Sequence, residues 1–378
     1  MSFAELQLHP SILANITSLG YKTPTPIQAQ AIPVVLEGRD LLGIAQTGSG
    51  KTASFVLPIL HHLLTTPAPK KSRQPKVLIL APTRELAVQI SETVKDLSQR
   101  LPRPILSMAV YGGVSINPQM KNIFGVELLI ATPGRLLDLQ RSNALDLSKV
   151  KQLVLDEADK MLNLGFQEEM KAIIQLLPKK RQNMLFSATL NEQLSGLNKV
   201  LLSNPVLVEI EHKAEDVALI NLSSYLVTEE RKGPLLRHLI REQNMRQVLV
   251  FTSSGLKADK VAWKLYKNGI DALSIHGKKS QGARTEALKE FKAGRLRVLV
   301  ATDLISRGID INELPYVINY ELPRSPKDFV HRVGRTGRAQ SEGVAITFVT
   351  TEDRRHFKVI LKKMKRYVDM IDSASFDL

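Results

Sequence analysis

The sequence predicts an α/β protein of two parallel-sheet domains joined by a short flexible linker, and three observations predict it. Its 378 residues exceed the ~250 to 300 at which one hydrophobic core stops growing. Short apolar, β-branched runs alternate with polar loops and helical patterns, the order of strands joined by crossover helices. The halves also echo one another: VLILAPTRELAVQI shares its order of strand, Thr-containing loop and helix with VLVFTSSGLKADKV, and LLIATPGR resembles VLVATDLISRG. Two such pairs in the same order suggest a duplicated architecture.

In the first half the apolar runs are Val77 to Leu80, Leu128 to Ala131, Leu153 to Leu155 and Met184 to Phe186, preceded by GRDLLGIA. The second series is Val248 to Phe251, Ala272 to Ile275, Val298 to Ala301, Val317 to Tyr320 and Val344 to Val349. These runs place one domain over 1–210 and the other over 222–368. Residues 211–221 are polar without a clear period and form the expected linker. Residues 369–378 carry no strong pattern and are expected to fray. TTPAPKKSRQPK, Thr65 to Lys76, has three prolines and several cations and reads as an exposed loop of the first domain.

Composition removes several functional classes. The absence of cysteine excludes disulfides, thiolate catalysis and cysteine-ligated zinc. No run approaches the ~18 to 20 apolar residues of a membrane-spanning helix, and the N-terminus lacks the basic head and apolar stretch of a secretory signal. A soluble, cytoplasmic protein with no membrane partner is expected. The formal charge of +15 and sequence pI of about 9.8 favour polyanions, nucleic acid first. The sign of the charge does not choose RNA over DNA.

Three stretches carry chemistry. AQTGSGKT, Ala45 to Thr52, follows an apolar run and precedes a helical pattern. Glycines there let successive N–H groups converge on phosphate oxygens at a helix N-terminus. Lys51 would reach the β and γ phosphates, and Thr52 would hold Mg²⁺. The strict pattern begins with Gly where this chain has Ala45. LVLDEAD, Leu153 to Asp159, ends a strand in acids: Asp156 would hold Mg²⁺ and Glu157 would orient or deprotonate a water. Taken alone, such a cluster is more often a solvated acidic loop. In HRVGRTGRA, His331 to Ala339, the spacing of Arg332, Arg335 and Arg338 suits either phosphate contacts or a basic surface loop.

Together these stretches resemble the DEAD-box family of superfamily-two RNA helicases, named for the residues at 156–159. The likeness covers almost the whole chain in family order: PTPIQ (Pro24 to Gln28), AQTGSGKT, PTREL (Pro82 to Leu86), Gly112 with Gly113, TPGR (Thr132 to Arg135), DEAD, SAT (Ser187 to Thr189), VFTSS (Val250 to Ser254), ATDLISRGID (Ala301 to Asp310) and HRVGRTGR. Ala45 is what the family usually carries there. HGKKSQGARTEAL and the short N-terminus are similar to the bacterial RhlE-like subgroup, whose relatives often carry basic tails; none follows Lys365 and Arg366 here, so the chain is expected to be truncated or tailless.

The resemblance implies two RecA-like domains, ATP as substrate, Mg²⁺ as cofactor, and RNA, single-stranded or in short duplexes, as partner. It implies an ATP site of Phe3, Tyr21, Gln28, Ala45, Gln46, Thr47, Gly48, Ser49, Gly50, Lys51, Thr52 and Asp310. In it Gln28 reads the adenine edge, since an amide donates and accepts at once, and Tyr21 stacks on the ring. On its own Gln28 is more often a helix-capping residue. Lys51, Asp156, Glu157, Arg335 and Arg338 are the implied catalytic groups. Asp159, Ser187, Thr189, Asp303 and His331 are the implied couplers of hydrolysis to strand separation.

RNA phosphate and ribose contacts fall by the same likeness on Pro82, Thr83, Arg84, Gly112, Gly113, Thr132, Gly134 and Arg135 in the first domain. In the second they fall on Thr252, Gln281, Arg284, Thr302 and Arg307. Such contacts carry no base information. The expectation is a monomeric core in which ATP and RNA bind cooperatively, two mobile lobes close, and a bent RNA path peels a duplex locally. Ribosome-assembly or RNA-decay proteins are the protein partners this suggests. Two rivals remain: an ATP-gated RNA clamp or annealing chaperone, and a DNA translocase of the same superfamily, which PTPIQ with DEAD disfavours.

Overall fold

The structure, a computed structural model, describes every residue apart from 47, 68–71, 191, 211–219, 304–313, 338–342, 365 and 378, and does not describe the side chains of 192, 193 and 327. The chain divides into two compact units, Met1–Glu211 and His212–Leu378.

In the first unit the strands are β1 (Leu41–Ile44), β2 (Val77–Leu80), β3 (Ser107–Val110), β4 (Leu128–Ala131), β5 (Gln152–Leu155), β6 (Gln182–Ser187) and β7 (Val206–Glu209). All pair in parallel, in the order β3-β4-β2-β5-β6-β1-β7. Parallel strands need crossovers, and helices cover both faces, so the central strands are apolar throughout. Side chains alternate between two cores: Val77 and Ile79 enter one, Leu78 and Leu80 the other. Burying each such side chain contributes roughly 1.5–3 kcal/mol. Gly43 sits where a Cβ would meet the Phe186 ring at 2.7 Å, and that space lets Phe186 pack on Phe55 with ring centroids 5.2 Å apart.

The second unit repeats this plan. Its strands are β8 (Ile220–Leu226), β9 (Val248–Thr252), β10 (Ala272–Ile275), β11 (Val298–Thr302), β12 (Tyr316–Asn319), β13 (Gly343–Val349) and β14 (Met370–Asp372). Their order is β10-β11-β9-β12-β13-β8-β14, again all parallel. Replacing β1 to β7 by β8 to β14 converts one order into the other. The paired stretches recognised in the sequence therefore occupy equivalent strands, β2 with β9 and β4 with β11.

Two boundaries differ from expectation. Ile220 and Asn221, assigned to the linker, already belong to β8, whose polar INLSSYL pattern hides a strand; residues 211–219 lie outside the described residues. The expected frayed tail is ordered at Met370–Asp372, which pairs with Ser224 to Leu226. Ser224 donates to the Asp369 carbonyl at 3.0 Å, Arg231 to those of Ser373 and Phe376, and Phe376 meets Tyr225 edge-on. No described helix is long and apolar enough to cross a membrane.

Candidate active site

Strand order sorts the motif residues of the first unit. AQTGSGKT follows β1, DEAD follows β5 and SAT ends β6, so three neighbouring strands, β5-β6-β1, present them at their carboxyl ends. In doubly wound sheets ligands bind at that edge. PTREL, the paired glycines and TPGR follow β2, β3 and β4, which form the other neighbouring set.

The glycine loop is held from below. Ala45 N–H donates to the Ser187 carbonyl at 3.0 Å, and Ser49 N–H to the Gln46 carbonyl; the Ser49 hydroxyl donates to the same oxygen. Gly50 caps the helix Lys51–Thr65 with φ +95°. A Cβ there would stand 2.6 Å from Gln28 Nε2 and 2.8 Å from Thr25 Oγ1, so glycine is required by both angle and space. Gln28 takes the capping role and also reaches the glycine loop. Its Oε1 accepts from Thr25 N–H at 3.0 Å, completing the capping box of the helix Pro26–Leu36, while Nε2 donates to the Gly50 carbonyl at 3.2 Å. Tyr21 is half-buried and meets Phe3 edge-on at 6.1 Å. Phe3 is 6 % exposed, so its ring is spent on the core and on Tyr21.

Lys51 is buried, and one of its three donors reaches the Ala45 carbonyl at 2.6 Å. Gln46, Gly48, Ser49 and Thr52 lie along the same loop, partly or fully exposed. Asp156 is 2 % exposed, and its Oδ1 has no hydrogen-bond partner among the described residues. Burial pushes its carboxyl up to about 6, with Glu157 adding to the rise and Lys51 and Lys160 opposing it. A buried carboxylate oxygen without a donor is what a cation would satisfy. Among the described residues no group of three His, Asp or Glu could hold a metal by itself. Mg²⁺ takes one or two carboxylates and completes its shell with phosphate and water. The orphaned Asp156 oxygen thus fits the ion. Glu157 adopts a left-handed backbone, φ 53° and ψ 47°, uncommon outside glycine and a mark of functional turns. Lys160, not singled out in the sequence, holds its Oε1 at 2.6 Å.

The acid cluster touches SAT directly. Thr189 Oγ1 donates to Asp159 Oδ2 at 3.0 Å, the Ser187 hydroxyl donates to the Thr189 carbonyl at 2.8 Å, and Thr189 N–H returns to Ser187 Oγ.

At the other set of strand ends, Thr83 caps the helix Arg84–Ser98 through Leu86 N–H behind the buried Pro82. The Arg84 guanidinium lies 4.2 Å from the centroid of the Tyr111 ring. Tyr111 is clamped at both backbone groups by Gln119. A Cβ on Gly113, φ +78°, would come within 3.8 Å of Arg84 Nη1, whereas Gly112 and Gly134 face open space. Thr132 stands at the N-cap position of the helix Pro133–Arg141, and Arg135 reaches back to the Val114 carbonyl at 2.8 Å. Arg84, the glycine pair, Thr132 and Arg135 are thereby gathered. Tyr111 and Gln119 escaped the sequence reading; an aromatic immediately before the paired glycines was the available signal.

In the second unit Gln281, which opens the helix Gln281–Lys292, accepts from Arg284. Thr302 ends β11 beside Thr252. Two residues of these motifs are withdrawn from solvent. Thr252, assigned to RNA, is fully buried and donates to the Ser254 carbonyl, because β9 is an internal strand buried along its whole length; Ser253 and Ser254 beyond it are the exposed hydroxyls. Arg332, read as suiting either a phosphate contact or a basic surface loop, is 2 % exposed and already engaged. It grips Asp303 in two parallel bonds of 2.5 and 2.7 Å and donates to Asn319 Oδ1 and the Glu321 carbonyl. Arg335 is buried just beyond the helix Pro326–Val333, and His331 lies partly covered within that helix. Thr47, Arg307, Asp310 and Arg338 lie outside the described residues.

A cavity of about 790 Å³ opens at the opposite, amino-terminal end of β1, β6 and β7, lined by Arg39, Asp40, Arg181 and Asn183 among others. It contains none of the motif residues.

Two family models match the chain: "DEAD/DEAH box helicase" over residues 25–197 and "Helicase conserved C-terminal domain" over 231–340. Similar proteins include the ATP-dependent RNA helicase CshA of Listeria monocytogenes, 38% identical over 99% of this chain and 71% of that protein. The ATP-dependent RNA helicase DeaD of Klebsiella pneumoniae is 38% identical over 100% of this chain and 58% of its own. Among solved structures, Saccharomyces cerevisiae Dbp5 bound to RNA and ADP BeF3 superimposes with a TM-score of 0.85 at 30% identity, covering 98% of this chain and 95% of that one.

Proposed function

Because this chain belongs to the DEAD-box helicase family, we propose that it is an ATP-dependent RNA helicase whose hydrolysis of ATP is stimulated by RNA and which unwinds short duplexes locally. The observation that carries the reading is the sorting of motifs along one sheet. Phosphate-binding and acidic groups occupy the ends of β5-β6-β1, arginines and glycines occupy the ends of β3-β4-β2, and the Asp159–Thr189 bond ties the acids to SAT.

In the hydrolytic step a water attacks the γ-phosphorus of ATP in line with the β–γ bridging oxygen. The new P–O bond forms as the bridging bond breaks, and ADP leaves with phosphate. Glu157, fixed by its turn and by Lys160, orients that water and takes its proton. The backbone of the glycine loop and Lys51 stabilise charge on the phosphates. Asp156 and Thr52 would hold Mg²⁺, which would supply further neutralisation of that charge. Arg335 and Arg338 add cations toward the transferring group; arginines in that role contribute ~10³ to 10⁵ in rate.

RNA is gripped through phosphate and ribose by Thr83, Arg84, Gly112, Gly113, Thr132, Gly134 and Arg135, and in the second unit by Gln281, Arg284, Thr302 and Arg307. Sequence-tolerant binding follows. We place the protein in the cytoplasm as a monomeric core, and the narrower RhlE-like assignment rests on HGKKSQGARTEAL. ATPase activity titrated with equal lengths of single-stranded RNA and DNA tests the proposal. Stimulation by RNA at several-fold lower concentration supports it; equal or preferential stimulation by DNA favours the translocase reading.

A further inference from the structure

Glu321, two residues past β12, has every polar atom engaged, and each bond reaches a different part of the second unit. Its N–H donates to the Phe251 carbonyl at 3.3 Å, and its own carbonyl accepts from Arg332 Nη1 at 2.6 Å. Oε2 accepts both the N–H and the hydroxyl of Ser253 at 2.7 Å. Oε1 accepts from Lys257 Nζ at 2.5 Å, and that ammonium also lies 3.3 Å from Glu229 Oε2. The side chain is only 15% exposed. Burial alone would raise its pKa, yet the bonds from Lys257 and Ser253 hold the carboxyl below the usual carboxylate range.

Ser253 and Ser254 form the turn between β9 and the helix Gly255–Lys267, and both are exposed. The turn stands at the carboxyl end of β9, whose neighbour β11 ends in Thr302. One carboxylate thus pins this turn at two atoms and the first turn of the following helix at a third. Through Arg332 the same residue is joined to Asp303.

We propose that the exposed Ser253–Ser254 turn contacts RNA and that Glu321 is its positioning residue: Glu321 holds the turn through its carboxylate and joins it through Arg332 to Asp303, without itself touching RNA. A turn held in place beforehand need not be ordered on binding, so its release raises the cost of association rather than slowing chemistry. This inference rests on the RNA-stimulated ATPase reading above.

The test is steady-state ATPase of the full chain titrated with a single-stranded oligouridylate, for the wild-type protein, Glu321→Gln, Lys257→Met and the double variant. The half-saturating RNA concentration rises about tenfold in Glu321→Gln, while kcat at saturating RNA stays within about twofold. The double variant is no worse than the weaker-binding single, because both act on one turn, and Glu321→Asp, which restores the charge, recovers part of the loss. Lys257→Met carries the test where Glu321→Gln does not fold. An unchanged half-saturating concentration, with or without a lowered melting temperature, overturns the proposal. So does a fall in kcat alone, or additive effects of the two substitutions. If wild-type protein shows no RNA stimulation, the functional reading itself fails; if only the variants behave as wild type, this inference fails alone.

Discussion

The hydroxyl of Thr189 donates to Oδ2 of Asp159 at 3.0 Å, joining the end of β6 to the acids that follow β5. Both partners are largely withdrawn from water, where a hydrogen bond to a charged group contributes ~1.5–3 kcal/mol. Thr189→Ala is expected to leave RNA-stimulated ATPase within about fivefold of wild type and to lower duplex unwinding by more than about tenfold. Parallel ATPase and strand-displacement rates on one preparation check it; equal losses in both would remove the coupling role.

Glu157→Gln keeps the size and the left-handed turn but cannot accept a proton from water. Multiple-turnover ATPase should fall by about 10² or more, while equilibrium binding of ATP and RNA persists. Fluorescent-nucleotide titration alongside turnover separates the two, and wild-type turnover would refute the assigned role.

Gly50→Ala must place a methyl 2.6 Å from Gln28 Nε2 at a φ of +95°. The expected cost is about 1–3 kcal/mol of stability, together with a raised KM for ATP because Gln28 is pushed from the loop. Urea denaturation and ATP titration measure these effects. A variant with unchanged midpoint and KM would show that the loop is looser than described.

Gln119→Leu releases both backbone groups of Tyr111, and with them the ring under Arg84. A several-fold increase in half-saturating RNA with little change in KM for ATP is predicted. The opposite pattern would place this corner with the nucleotide.

Asp259 offers a pH test within the second unit. Burial raises its pKa, but bonds from Ser274, Lys279 and His276 outweigh that and bring it down to about 2. A depressed carboxyl stabilises the fold above its ordinary pKa and loses that contribution as pH falls through the folded value. The loss therefore falls between about pH 4 and pH 2. The Asp259 side chain is 41% exposed, so the contribution is about 1 kcal/mol or less. Asp259→Asn should flatten the acid limb of the unfolding profile across that window; a profile parallel to wild type would contradict it.

What could be read from the residues follows from their physics. Central strands such as Val77–Leu80 and Val298–Thr302 are buried on both faces and announce themselves as apolar runs. Edge strands do not: Ser107–Val110 is mostly half-covered, and Met370–Asp372 is three residues long. Ile220–Leu226 was hidden differently, because its buried Ser224 is satisfied by a carbonyl 145 residues away in sequence. Motif spacing located Lys51, Asp156 and Gln28, but not direction. Thr252 is buried, and Arg332 spends its donors on Asp303, Asn319 and Glu321. Both facts depend on strand pairing and on partners distant in sequence.

The most direct measurement of the central claim is release of a fluorescent strand from a short RNA duplex, with a trap oligonucleotide present, in ATP and without it. Rapid release that requires ATP and is abolished in Lys51→Ala is the expected result. Tight ATP-dependent binding of the duplex with no release above the ATP-free rate would contradict it and identify the protein as an RNA clamp.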